Sequence, residues 1–311
     1  MSKGGRLEIH TGVTYCLVRE RSGDVRSRVE LTVIVAMVTM LRIGAGTCLA
    51  QSSWASEGPV VHGHYHLSIT DRAAHERFWG DVLGGVRTPW PSKNATVFKF
   101  PNALVFLTDR APSGGTIGST VNHIGFWVPK TRVMIDKIRS AGFHVITAQE
   151  LPNAKVQDGV VCSDSAKTCV AYVLGPDDVK VEIVENRGQT IPIQNHHIHF
   201  HTPRVDELRA WYVETFGGVA GVNPPFKVVD LPGVNIRFSE SSGSIVGTRG
   251  RSLDHIGFEV DNLEAFCKRL EAKGIKFDRP YTRRDDLKVA AAFLTDPNGT
   301  YIELTEGLDK Y

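Results

Sequence analysis

Twelve histidines occur in the 311-residue chain, and many of them stand in segments that recur. His64 and His66 open HYHLSITDRAAHERFWGDVLGG (64–85), and His197 and His199 open HIHFHTPRVDELRAWYVETFGG (197–218). His123 lies in NHIGFWVP (122–129) and His255 in DHIGFEVD (254–261). Glu182 lies in a third pair of segments, GPDDVKVEIVE (175–185), matched by Glu303 in DPNGTYIELTE (296–306). Imidazole nitrogens and carboxylate oxygens are donors for divalent metals and acceptors for protons, so chemistry is expected on these segments. Side chains on a strand alternate with period two. His62, His64 and His66 are therefore expected on one face, as are His197, His199 and His201. His66 and His199 then fit a general base or a donor to a ligand, and they equally fit the polar lining of a barrel.

The three segments keep their order in both halves. His64 to His123 is 59 residues and His197 to His255 is 58; His123 to Glu182 is 59 and His255 to Glu303 is 48, a shorter loop in the second half. Ordered motifs at similar spacing indicate duplication. Two related regions follow, 60–187 and 196–311, joined by a polar, proline-containing linker at 188–195. Within them the histidine segments alternate as strands do, for example His255-Ile-Gly-Phe-Glu-Val. An amphipathic helix comes next: Leu263, Phe266 and Leu270 recur at helical spacing and Lys273-Gly274 closes the segment. Val133 to Gly142 and Arg72 to Gly84 read alike. Apolar runs such as TVFKF, ALVFLT, CVAYVL and KVEIV read as short strands. The predicted unit is one strand, one helix and about three strands, present four times.

These residues carry a resemblance to a known family. The histidine blocks, the aromatic pair followed by Gly-Gly, and Asp-Pro-x-Gly-x-x-x-Glu resemble the vicinal oxygen chelate superfamily, which includes glyoxalase I, extradiol dioxygenases, methylmalonyl-CoA epimerase and fosfomycin-resistance enzymes. The resemblance covers nearly everything after residue 60. It implies an α+β fold of tandem paired βαβββ units, four units in two domains, forming glyoxalase/extradiol dioxygenase-like half-barrels. It also implies metal ligands on the first and last strands of a unit: His64, His123 and Glu182 in the first domain, His197, His255 and Glu303 in the second. The family's remaining ligand position falls near Phe106 and Arg237, neither of which can donate a lone pair to a metal. The chain so departs from the four-ligand pattern of glyoxalase I and the epimerase. Two imidazoles and a carboxylate suit Fe2+, Mn2+, Zn2+ or Ni2+ and leave room for a substrate chelating through two neighbouring oxygens.

The resemblance implies a metal-dependent enzyme, glyoxalase- or dioxygenase-like, acting on a small oxygen-rich substrate. Ring cleavage of the extradiol type is disfavoured because the positions aligned with its histidine and tyrosine, around Glu240 and Phe293, hold neither. The alternative is a bleomycin-resistance-like protein that binds a small ligand without chemistry, with Trp90 and Trp127 lining a cleft and Trp79 and Trp211, at helix positions, in the core.

Composition bounds the remaining possibilities. The chain is 41% hydrophobic and 23% charged, as soluble globular proteins are. A formal charge of +2 gives no reason to expect nucleic acid or an anionic membrane as partner. Arg26 and Arg28 precede the apolar run Leu31 to Leu41, and small residues lead to Cys48-Leu49-Ala50. That order predicts a secretory signal over 1–50 and a secreted or periplasmic protein, a buried strand or an uncleaved anchor being the competing interpretations. Lipidation of Cys48 is not expected, because Ala45-Gly46-Thr47 lacks the usual branched residue. Of five cysteines, Cys162 and Cys169 either staple a hairpin or remain surface thiols, and Cys267 belongs in a core. A monomer and a homo-oligomer are both compatible with these features.

Overall fold

Each repeat folds as its periodicity predicts. The computed structural model describes residues 60–241 and 243–311, so the leader expected over 1–50 lies outside the described residues. The first unit comprises β1 (Val60–Ile69), α1 (Arg72–Glu76), which continues as a π-helical turn over Arg77–Val82, β2 (Val86–Thr88), β3 (Ala95–Phe100) and β4 (Ala103–Asp109). The second holds β5 (Val121–Val128), α2 (Thr131–Ser140), β6 (His144–Val145), α3 (Thr147–Glu150), β7 (Val161–Ser163), β8 (Thr168–Leu174) and β9 (Lys180–Glu185). The third holds β10 (Gln194–Thr202), α4 (Val205–Phe216), β11 (Val219–Asn223), β12 (Phe226–Leu231) and β13 (Val234–Glu240). The fourth holds β14 (Leu253–Val260), α5 (Leu263–Ala272), β15 (Phe277–Arg284), β16 (Val289–Thr295) and β17 (Tyr301–Glu306).

The longer loop between His123 and Glu182 is filled by β6, α3 and β7. There Cys162 and Cys169 face each other across β7 and β8 and are disulfide-bonded. Of the two expectations for this pair, the staple is the one observed. Cys267 is a free thiol buried on α5, as expected of a core position.

The helices bury the residues that the pattern marks. On α5 these are Leu263, Phe266, Cys267 and Leu270, and on α4 they are Leu208, Tyr212, Thr215 and Phe216. Each large apolar side chain so removed from water contributes about 1.5–3 kcal/mol. The main core lies between helices and sheets and takes the residues that alternate with the histidines: Tyr65, Leu67 and Ile69 on β1, Ile198 and Phe200 on β10. Trp79 is fully buried in it and Trp211 packs against it. The double glycine that follows the first helix of each half, Gly84-Gly85 and Gly217-Gly218, has two distinct causes. Gly217 adopts a left-handed φ of 76° as the cap of α4, and a Cβ on Gly218 would stand 2.3 Å from Val229 Cγ1.

The sheets depart from the expected domain organisation. One eight-stranded sheet runs β15-β16-β17-β14-β1-β4-β3-β2, and a nine-stranded sheet runs β11-β12-β13-β10-β5-β9-β8-β6, with β7 as its ninth strand paired on β8. The first unit thus shares its sheet with the fourth, and the second with the third. The junctions are antiparallel, β1 with β14 and β5 with β10, whereas within a unit the first and last strands are parallel. Regions 60–187 and 196–311 each contribute one unit to each sheet. Within a half the two units meet through core aromatics, Trp79 on Phe126 and Phe216 on Phe258, and through the turns before their last strands: Asp177 accepts from the Thr70 amide and hydroxyl, and Asn298 accepts from the Thr202 hydroxyl.

Candidate metal centres

The pairing of strands decides which functional side chains meet. In the register of β1 on β14, His64 lies opposite Gly257 and His66 opposite His255. The same register on the other sheet sets His197 opposite Gly125 and His199 opposite His123. The glycine of the His-Ile-Gly-Phe motif has a steric purpose. A Cβ on Gly257 would lie 2.0 Å from the His64 ring, and one on Gly125 would lie 2.0 Å from the His197 ring. Only hydrogen at these positions lets the imidazole of the other half lie across the strand.

Two clusters result. Site I gathers His64, His255, Glu303 and His66; site II gathers His197, His123, Glu182 and His199. Within each cluster, one potential ligand atom per residue can be chosen so that all lie within 4.8 Å of one another. The expected triads are therefore regrouped. His64 does not meet His123 and Glu182, and His197 does not meet His255 and Glu303, because each sheet joins units from opposite halves. All six expected ligands still lie in one cluster or the other.

The geometry at each carboxylate is the same. Nε2 of His64 and Nε2 of His255 both lie 2.9 Å from Glu303 Oε2. Nε2 of His123 and Nε2 of His197 both lie 3.0 Å from Glu182 Oε2. The His197 contact lacks hydrogen-bond alignment, and this nitrogen is buried without a hydrogen-bond partner.

Proton bookkeeping sharpens what these contacts require. His255 Nδ1 lies 2.7 Å from Asp254 Oδ1, so it donates there. In neutral His255 the bare lone pair of Nε2 then points at an anionic oxygen. Either the ring becomes imidazolium or a cation lies between nitrogen and carboxylate. His123 repeats the arrangement with Asn122 Oδ1 at 2.9 Å. Burial depresses the pKa of His123, outweighing the pull of Glu182. Burial also lowers His64, and takes His197 to about 4. For His255 burial acts in the same direction, but hydrogen bonds to Asp254 and Glu303 outweigh it and its pKa is raised. Burial works against ionisation of Glu182 and Glu303, yet the surrounding histidines hold both below the usual carboxylate range. At site II the result is an anionic carboxylate beside neutral imidazoles, the donor set of a divalent transition metal, whereas at site I a metal would have to displace the proton that Asp254 and Glu303 favour on His255.

His66 and His199, expected as base or polar lining, flank the triads. Each Nε2 lies 2.8 Å from a hydroxyl, Thr108 for His66 and Ser239 for His199. His199 Nδ1 is buried without a partner. His62 is a correction. A bulge at Gly63 interrupts the alternation between His62 and His64, so His62 instead packs on Tyr65 at 4.7 Å, and its Nδ1 donates to the Asn102 carbonyl. Asn195 occupies the matching place before the bulge on β10 and accepts from the Tyr65 hydroxyl at 2.7 Å.

The surroundings of the two sites differ. Phe106, opposite His66 on β4, lies 5.2 Å from the His64 ring, and Trp90 packs edge-on against it at 5.0 Å. Phe293 lies 5.6 Å from His255. In site II the place of Phe106 is taken by Arg237, opposite His199, and Trp127 stacks on His196 at 4.0 Å. From sequence alone Arg237 stands only at a position where a metal ligand is missing, and His196, Asp254 and Asn122 carry no role. The residue preceding His in Asn-His-Ile-Gly and Asp-His-Ile-Gly was the available signal for the last two.

Comparison with known proteins agrees with this architecture. Residues 220–304 match the model of the Glyoxalase/Bleomycin resistance protein/Dioxygenase superfamily. No curated protein matches the chain. Among solved structures, glyoxalase I from Zea mays superposes with a TM-score of 0.60 at 13% identity, over 81% of this chain and 94% of that one. A single-substitution variant of the maize protein gives 0.61 at 13% identity, over 84% and 97%. A Bacillus subtilis protein gives 0.58 at 13% identity, over 79% and 84%.

Proposed function

We propose that the chain is a metal-dependent enzyme of the glyoxalase, bleomycin-resistance and dioxygenase superfamily, whose model residues 220–304 match, acting on a small, oxygen-rich substrate. One observation carries the reading: at two places two imidazole Nε2 atoms converge on one carboxylate oxygen at 2.9–3.0 Å. His64, His255 and Glu303 would hold one divalent transition ion, and His197, His123 and Glu182 the other, with Fe2+, Mn2+, Zn2+ and Ni2+ all suited to the donors. The ion would supply Lewis acidity toward two adjacent substrate oxygens. The protein does the rest. Asp254 and Asn122 fix the tautomers of His255 and His123 so that Nε2 faces inward. His199, oriented by Ser239 and with Nδ1 free and buried, is placed to take a proton from a chelated substrate; His66 with Thr108 is its counterpart. The Cys162–Cys169 disulfide supports an oxidising, secreted or periplasmic setting.

The test is elemental analysis of the purified chain together with ligand binding and turnover before and after chelation. About two equivalents of a transition metal, with turnover lost on chelation and regained on reloading, is the expected result. Ligand binding that survives complete removal of metal, with no turnover in either state, would favour the sequestering protein instead.

A further inference from the structure

Arg237 is 7% exposed and no carboxylate lies within ion-pair distance of it among the described residues. Its Nε donates to Asn235 Oδ1 at 3.0 Å, Nη2 lies 3.4 Å from His196 Nε2, and Nη1 has no hydrogen-bond partner among the described residues. Its guanidinium stands 5.7 Å from the Phe226 ring, and Phe226 in turn packs on His199. A buried guanidinium is costly unless an anion meets it. Burial pulls the Arg237 pKa down; Glu182 and Asp230 favour its charge from a distance, but neither forms an ion pair with it.

A second observation comes from the chain of nitrogens between Arg237 and the metal ligands. His197 Nδ1 lies 3.0 Å from His196 Nδ1. If His197 offers Nε2 to a metal, its proton sits on Nδ1 and is donated to His196 Nδ1. The proton of His196 then sits on Nε2, facing the N–H groups of Arg237. Two donors confront each other at 3.4 Å, and only an acceptor between or beside them resolves the contact. His196 and Asn235, the two side chains that contact Arg237, also line a surface groove with Trp127, Gln194, Asn102 and the acidic Asp230.

Site I has none of this. Leu104 and Phe106 stand opposite His64 and His66 where Asn235 and Arg237 stand opposite His197 and His199. Gly63 precedes His64 where His196 precedes His197.

We propose that site II is the receptor for an anionic chelating substrate, whose acid group is bound by Arg237 and His196 while its vicinal oxygens face His123, His197 and Glu182. Site I takes only uncharged or apolar groups at the corresponding place. The assignment rests on the metal-centre reading for the chelating oxygens and on Arg237 for the acid group, so the two are tested separately. The probes are 3,4-dihydroxybenzoate and its methyl ester, which keep the same vicinal oxygens and differ in charge. Both are titrated calorimetrically into the wild-type chain, Arg237→Met and Arg237→Lys, with metal content measured on each sample. The expected result is a single acid-selective site in the wild type, preferring the acid to the ester by about ten-fold or more. Arg237→Met should abolish the preference with metal content unchanged, and Arg237→Lys should retain part of it. A chain that holds no metal but keeps an Arg237-dependent preference would remove the metal-centred function and leave the anion site standing. No preference in the wild type, or a preference that survives in Arg237→Met, overturns the inference whatever the metal content.

Discussion

At the scale of single residues, each candidate centre is a set of side chains that are costly to bury together without a cation. His255 shows why. Asp254 takes its Nδ1 proton, and the opposite nitrogen faces Glu303 at 2.9 Å. The regrouping of ligands across halves makes a sharp prediction. His64→Ala and His255→Ala should each lower bound metal from about two equivalents to about one, and the double variant should lose no more, since residues of one site act as a unit. His64→Ala combined with His123→Ala should abolish binding. If instead the pair His64→Ala and His123→Ala removes a single equivalent, the contiguous grouping is right and the sheet pairing wrong. The ligand residues themselves were legible in the sequence, because each recurs with its motif in both halves.

At the scale of elements, what the sequence left unread is partnership. Alternation along β1 marks which residues share a face, but nothing in HYHLSI says whether the neighbouring strand is β5 or β14. The antiparallel β1–β14 junction depends on side chains supplied from nearly two hundred residues away, and Gly257 exists to accommodate one of them. His62 was misplaced for a related reason. A bulge adds one residue to a strand, and Gly63 permits it without changing the apolar pattern that suggested the strand. The helices were easier, since burial of Leu263, Phe266 and Leu270 reflects periodicity within one segment. Gly257→Ala tests the junction directly. The added methyl should displace the His64 ring, reduce metal at site I while sparing site II, and cost about 1–3 kcal/mol in thermal or denaturant unfolding. Full metal occupancy in this variant would show that His64 does not cross the strand as described.

At the scale of the whole molecule, neither half owns a complete centre. Residues 60–187 bring His64, His123 and Glu182, and residues 196–311 bring His197, His255 and Glu303, yet each triad draws on both. Expressed as separate chains, 60–187 and 188–311 should each fail to retain metal as monomers. Mixing them should restore about two equivalents per pair, by pairing of the exposed strand edges. Molecular mass must be measured alongside metal, because a dimer of 188–311 could bring His197 of one copy to His255 and Glu303 of the other. A strictly monomeric 188–311 that binds a full equivalent would contradict the architecture.

The junction of units from opposite halves also bears on symmetry. In a homodimer of half-length chains, every substitution would appear in both centres at once, since a two-fold axis copies each residue. Covalent linkage removes that constraint: β4 and β13 occupy equivalent places but are encoded separately, so one can carry Phe106 and the other Arg237. The single polypeptide can therefore specialise two pockets for different ligands, at the cost that damage to either half disables both.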